Sequence, residues 1–444
     1  MSKKEKYPKI IVEPPGPKAK EIIEKDHRLL SPSLTRTAPL VGAETFGVYI
    51  KDIDGNVYLD FGSGIAVVNV GHRHPKVIEA IKKQLDLCDH VNSCDYYTIP
   101  QVEYAERITK LVPGNFDKRI FFGNSGTEAV ECAIKVAKWH SKRYYLIGFI
   151  GGFHGRTMGA LAFTTTSISA RRFFEPMMPC AYHVPYAYCF RCAYKLKYPD
   201  CGLWCLDFIE EVVFKKIIPP EEVAGVIVEP IQGAGGYIVP PDEFLPKLKK
   251  LCEKYGIIFI DDEVQTGFGR TGKMWACEHW KVIPEILCAS KAIAGGLPMG
   301  ICVTKSEIMD WGPTSHENTL GGNPIIVSAA LAVLDVLISE RLIENAEKIG
   351  SYLMKRLKEL QEKYEIIGDV RGKGMMIGVE FVKDRKSLEP AEKERDRIIL
   401  EAFKKGLLLL GAGRSSLRLA PPLILEKEQA DKGIEIFEEA LKKI

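Results

Sequence analysis

Between roughly residues 100 and 310 the chain alternates short apolar runs with segments of helical period, which constrains its fold more than any other feature. The runs are RIFF (119–122), YYLIGFI (144–150), VAGVIVEP (223–230), GIIFIDDE (256–263) and GICVTK (300–305). Strands that are apolar along their whole length are buried on both faces, and helices between them supply the crossovers that parallel pairing needs. This stretch therefore predicts an α/β unit with a mostly parallel sheet, in which ligands lie beyond the carboxyl ends of the strands.

The flanks read differently. The first ~40 residues are polar and Pro-rich and predict an arm. GVYIKDIDGNVYLDF (47–61) alternates around Asp54-Gly55, the pattern of a hairpin, and a helix is expected after His74-Pro75, with Val77, Ile78, Ile81 and Leu85 on one face. From about 325 the chain is helical, then offers strands in GMMIGVEFV and LRLAPPLIL and a closing helix in EQADKGIEIFEEALKKI. The expected division is 1–75 for the arm and first small-unit strands, 76–330 for the large α/β unit and 331–444 for a smaller α+β unit. The net charge of +3 gives no basis for a nucleic-acid or membrane surface. The opening MSKKEKYPKI has no apolar stretch of a signal peptide, and no segment approaches a membrane span of about 20 residues, so a cytoplasmic protein is expected.

Three places could carry chemistry. FFGNSGTEAVECAIKVAK runs strand, Gly-rich turn, helix, so Gly126 and Thr127 stand where free N–H groups and the helix dipole attract an anion, with Ser125 and Thr127 adding hydroxyls. An ordinary capped helix start fits the same residues. GIIFIDDEVQTGFGR ends an apolar strand on Asp261, Asp262 and Glu263, which suit a general base, a metal or a cation, or simply a solvated turn. ILCASKAIAGGLPMG sets Lys291 among small apolar residues, where desolvation lowers an amine's pKa and suits Schiff-base chemistry. A lone surface lysine would look the same.

Together they do not look ordinary. NSGTEA, GGFHGRT, VEPIQG, DDEVQTGFGRTG, SKAIAGGLP and NTLGGNP, in this order over about residues 35–435, resemble the class III aminotransferases of pyridoxal-phosphate fold type I, the family of 4-aminobutyrate, ornithine and acetylornithine aminotransferases. The resemblance implies a large domain with a mostly parallel, seven-stranded type of sheet, a smaller α+β domain from both termini, and pyridoxal 5′-phosphate as cofactor. It implies that Lys291 carries the cofactor as a Schiff base and moves the proton from Cα. Asp262 would pair with the pyridinium nitrogen and make the ring an electron sink. Ser125, Gly126 and Thr127 would hold the phosphate, Phe153 would stack on the ring, and Gln265 would bond the ring 3-oxygen. Glu229 would lie near substrate and cofactor. Thr319 would reach the phosphate of a neighbouring subunit, which implies a homodimer or a dimer of dimers, and Arg418 would clamp the substrate carboxylate through its guanidinium fork. The expected partners are amino acids and 2-oxo acids.

The chain departs from the family at one informative place. Many 4-aminobutyrate and ornithine aminotransferases continue VEPIQG as QGEGG, with a glutamate that pairs with the clamp arginine while an ω-amino donor reacts. Here Ala234 stands in QGAGG. The resemblance then favours α-amino acids, because nothing at position 234 competes for Arg418. Amino-acid racemases of the same fold carry an aspartate there as the second acid/base, and racemisation needs a proton taken on one face and returned on the other. An aminotransferase is therefore the first reading and a racemase lacking its second base the alternative. Ser93, Asp95 and Tyr96 are further candidates for contact with a substrate side chain, Asp95 for a distal amine; a loop or cap fits them equally.

Of the twelve cysteines, Cys132, Cys252, Cys288 and Cys302 sit in apolar stretches and read as buried small hydrophobes. Cys189, Cys192, Cys201 and Cys205 form a C-x2-C…C-x3-C pattern outside the aminotransferase motifs. Zinc, two disulfides and free thiols are all open for these four, and none is expected to be catalytic. Abundant Lys and Glu with scarce Asn and Gln point toward a thermophilic source, where intracellular disulfides also occur.

Overall fold

A computed structural model describes residues 7–444. Three strands come early: β1 (Gly42–Phe46), β2 (Tyr49–Asp52) and β3 (Val57–Asp60). The hairpin expected at Asp54-Gly55 forms between β2 and β3, with Ile50 opposite Tyr58 and Gly55 at φ 94°. The polar opening is more ordered than an arm: Pro17–Leu29 is a helix, started by a proline in its first turn and tied down by Asp54, which accepts from the Lys18 and Ala19 amides at 3.0 and 2.9 Å.

The central sheet has seven strands, β4 (Lys118–Gly123), β5 (Tyr145–Ile150), β6 (Ala181–Pro185), β7 (Val223–Val228), β8 (Ile258–Asp262), β9 (Ile286–Ala289) and β10 (Gly300–Lys305). Their order is β4-β10-β9-β8-β7-β5-β6, and only β10 runs antiparallel to its neighbours. The fold class is thus the mixed α/β arrangement expected. Both faces are covered, as a parallel sheet requires. Along β7, Val226 and Val228 enter one core with Phe149, Phe259 and Phe244, while Ile227 enters the other with Ile260 and Ala133. That second core is roofed by the helix Gly126–Ser141, which buries Val130, Ala133 and Ala137.

The remaining strands are β11 (Ile367–Lys373), β12 (Met376–Phe381), β13 (Leu407–Leu408), β14 (Leu410–Ala412) and β15 (Ser416–Leu419). β13 pairs in parallel with β3, Leu407 opposite Leu59, so the C-terminal part closes a sheet begun near the N-terminus. The other four form the sheet β11-β12-β15-β14. Of the LRLAPPLIL run only Leu417–Leu419 continues a strand, because Pro421 and Pro422 cannot extend the ladder. No helix among the described residues is long and apolar enough to cross a membrane.

Candidate active site

Topology gathers the candidates before any side chain is considered. The strands β9, β8, β7 and β5 are adjacent and parallel, so their carboxyl ends open on one edge. Lys291 follows β9, Asp262 ends β8, Glu229 follows β7 and Phe153 follows β5. β4 points the same way, being antiparallel to β10, and delivers the start of the Gly126–Ser141 helix to that edge.

The helix start is open. Ser125 is its N-cap and its hydroxyl accepts from the Glu128 amide, while the Gly126 and Thr127 amides have no partner among the described residues. The Thr127 hydroxyl meets that of Thr157 at 2.7 Å. Gly300 on β10 permits the turn, since a Cβ there would lie 2.0 Å from the Ser125 carbonyl oxygen.

Lys291 begins a short 3-10 turn at φ 41°, a left-handed conformation that costs a non-glycine residue energy and is kept where the surroundings impose it. Its amine has no hydrogen-bond partner among the described residues. Burial pulls its pKa below the usual lysine value, against the opposing charges of Asp262 and Glu229.

Asp262 is 3% exposed and is held at both oxygens, by the Val264 amide at 3.0 Å and by His154 Nδ1 at 2.6 Å. Burial works against protonation of His154, but the Asp262 hydrogen bond and charge outweigh it, so its pKa lies above the ordinary imidazole value. A charged His154 donates to Asp262 in a charge-assisted hydrogen bond. Sequence reasoning passed over His154, although it stands inside the GGFHGRT motif; a histidine next to the expected aromatic was the available signal.

Glu229 is a bracket. Its two carboxylate oxygens accept from the Phe153 and Gly233 amides, each at 2.8 Å, so one buried side chain fixes the turn after β5 and the GAGG turn after β7. Burial, with the nearby Asp262 charge adding to it, raises its pKa to about 7. Gln265 is 7% exposed and its Oε1 has no partner among the described residues. Gly233 gives it room, as a Cβ there would sit 2.3 Å from Gln265 Nε2.

Arg418, on β15, faces the same region from the C-terminal sheet. It shares with Phe153, Ala234, Arg156, Ile65 and Thr37 a cavity of about 720 Å³, in which Arg156 lies over the Phe153 ring at 4.9 Å. The Arg418 guanidinium makes no ion pair or hydrogen bond among the described residues, and its Nε is buried without an acceptor. Burial lowers its pKa from the usual arginine value.

Other candidates lie elsewhere. Thr319 is exposed on the loop between β10 and the helix Pro324–Ser339. Ser93 donates to the Gly321 carbonyl at 3.0 Å and Asp95 accepts from Asn92 at 2.7 Å, beside that loop rather than on the Arg418 cavity.

A strand-end site with a strained, half-buried lysine, an aspartate bonded to a histidine and an open helix start belongs to the class of fold-type I pyridoxal-phosphate enzymes. The family described as "Aminotransferase class-III" matches residues 32–441, and the chain belongs to that family, whose cofactor is pyridoxal phosphate. It is 41% identical over 443 residues to the alanine/serine racemase of Pyrococcus horikoshii, covering 98% of this chain and 93% of that one. It is 36% identical to the 4-aminobutyrate aminotransferase of Mycobacterium leprae, covering 99% of each. The structure of a PLP-bound amine transaminase from an uncultivated Pseudomonas species superposes with a TM-score of 0.87 at 32% identity, covering 94% and 98% of the two chains.

Proposed function

We propose that this protein is a pyridoxal-phosphate-dependent aminotransferase that takes α-amino acids as donors. The observation that carries the reading is Arg418, a half-buried cation with no carboxylate partner among the described residues, lining one cavity with Phe153 and Ala234. Position 234 supplies no acid to pair with it, so the arginine stays available for a substrate carboxylate, which a guanidinium grips in two parallel hydrogen bonds.

The donors suit the cofactor. Two free amides and the hydroxyls of Ser125 and Thr127 make a cradle for a phosphate dianion. Asp262, held by His154, suits a protonated pyridine nitrogen, and the Gln265 amide, with Oε1 unpartnered, suits the ring oxygen. Phe153 would cover the ring, and Thr319 would reach the phosphate of a second subunit, as the family resemblance implies. Bound pyridoxal phosphate supplies an aldehyde that condenses with amines and a ring that accepts the electron pair released at Cα.

The chain's own work is orientation and proton transfer. Arg418 fixes the substrate carboxylate, which sets the Cα–H bond toward one side. Lys291, its amine pKa lowered by burial, accepts the Cα proton at Nζ and returns it nearby. Ala234 has nothing with which to deliver a proton from the other side. One-sided proton movement leads to exchange of the amino group rather than inversion.

The test is a half-reaction. Holoenzyme mixed with a panel of L-amino acids and no acceptor should release about one 2-oxo acid per bound cofactor, since the amino group stays behind. Release of none from any donor would defeat the proposal. A second reading, an amino-acid racemase, draws support from the names of relatives such as the P. horikoshii alanine/serine racemase. It expects D-enantiomers to accumulate from single L-amino acids on chiral chromatography, without any 2-oxo acid.

A further inference from the structure

We propose that Cys189, Cys192, Cys201 and Cys205 form a structural zinc site that fastens the crossover after β6 to the wall of the active site.

The four cysteines come together around one small space. They line a cavity of about 20 Å³ with Tyr186 and Tyr194, room for a single atom-sized guest. The space is walled by the four cysteines together with tyrosines and apolar side chains, and four soft thiolates are a donor set that suits zinc.

None of the twelve cysteines is in a disulfide. No three of the four sulfurs lie within 4.8 Å of one another; among the described residues only Asp261, Glu263 and Cys277 bring three ligand atoms that close. Tetrahedral zinc with thiolate bonds of about 2.3 Å requires sulfurs roughly 3.8 Å apart. Binding the metal would draw the sulfurs to that spacing within a segment of little regular structure, a three-residue 3-10 turn at Cys189–Arg191 followed by turns up to the helix Trp204–Phe208. On binding, four S–H bonds break, their protons pass to solvent and four Zn–S bonds form. No oxidation is involved.

The segment has a reason to be fastened. Tyr186 donates to the carbonyls of Glu229 and Pro230 at 3.2 and 3.0 Å. Tyr188 and Arg191 both bond the buried Glu380, which also pairs with Arg371 at 2.7 Å. Arg371 in turn donates to the carbonyls of Gly236 and Tyr237 at 2.6 and 2.9 Å, two and three residues beyond Ala234. The zinc would hold the Tyr188–Arg191 end of this chain of contacts in place, with the four cysteines as positioning residues for the turn that faces the substrate.

The test uses the holoenzyme. Metal analysis after gel filtration should find about one zinc per chain, absent from Cys192→Ser and Cys201→Ser but present in Cys252→Ala, whose thiol is buried elsewhere. All twelve thiols should react in denaturant with chelator and without reductant; eight would mean two disulfides and would overturn the proposal. Should the serine variants not fold, cobalt exchange into the unmodified protein decides. Visible bands of a tetrahedral cobalt thiolate support the site, and their absence from zinc-free protein with twelve free thiols overturns it. The zinc-loaded protein should also resist cleavage between residues 189 and 205 better than chelator-treated protein.

Discussion

Replacing Arg418 with methionine should make the fold more stable and the enzyme much worse, and the two effects have one cause. The side chain is half-buried, its guanidinium has no anionic partner among the described residues, and its buried Nε lacks an acceptor. An unsatisfied buried donor costs about 1–3 kcal/mol, so a methionine of similar length should recover stability on that order. In the substrate complex the same group forms a charge-assisted pair in a partly enclosed cavity, and removing one partner of such a pair costs about 3–5 kcal/mol. At about 1.4 kcal/mol per tenfold, kcat/KM for α-amino acids should fall roughly 150- to 4000-fold. An amine donor without a carboxylate should be almost unaffected, because it never used the contact. Thermal denaturation of the cofactor-free protein and steady-state kinetics with paired substrates, one with and one without the carboxylate, measure both sides. Equal loss for the two substrates, or a lower melting temperature in the variant, would refute the assignment of Arg418 as an unpaired cation kept for the substrate.

Two further perturbations follow from the geometry. Gly300→Ala places a methyl 2.0 Å from the Ser125 carbonyl oxygen and must push the N-cap off the helix start, so cofactor affinity should drop at least about tenfold, measured by equilibrium dialysis of pyridoxal phosphate; unchanged affinity would show that the turn is not part of the cradle. Glu229 has a folded-state pKa raised to about 7 from 4.5, chiefly by burial. Its protonation favours the fold, so that contribution is whole below about pH 4.5 and is lost as the pH rises through about 7. The stability of the parent protein relative to Glu229→Gln should therefore decline across that window and be flat above it, by urea denaturation at a series of pH values; a difference that grows with pH would contradict the burial argument.

Much of the fold is legible in the chain, for physical reasons that also explain the rest. Strands such as VAGVIV are apolar throughout because both faces are covered, and they stand out from any helix pattern. β6 (AYHVP) does not, since an edge strand tolerates His183 and Pro185, and β9 (ILCA) is too short for a period to show. The opening helix is hidden by polarity, as it buries only Ala19 and depends on Asp54, far along the chain. Among site residues, motif order identifies those that act at strand ends. Roles that depend on long-range contact are not written locally: nothing in GGFHGRT says that His154 meets a carboxylate 108 residues away, and nothing near Glu380 says that it joins Arg191 to Arg371.

The choice between the two reactions can be pressed at Ala234, because the backbone there is held independently of the side chain. Gly413 donates to the Ala234 carbonyl at 2.8 Å, Arg371 grips the carbonyls of Gly236 and Tyr237, and Glu229 holds the Gly233 amide. None of these contacts involves the Ala234 methyl, which lies on the wall of the 720 Å³ cavity. A carboxylate placed there remains in reach of water, so Ala234→Asp should leave the melting temperature almost unchanged and alter only what faces the substrate. The variant gains a group able to protonate Cα from the side opposite Lys291, and it also gains an anion that competes for Arg418. Both consequences are measurable in deuterium oxide. Exchange of the Cα hydrogen with inversion of configuration should appear or increase, while 2-oxo acid release from α-amino acids should slow as Arg418 is neutralised. Exchange without inversion would mean that position 234 does not face the second side of Cα, and the one-sided proton transfer assigned to the parent protein would lose its structural basis.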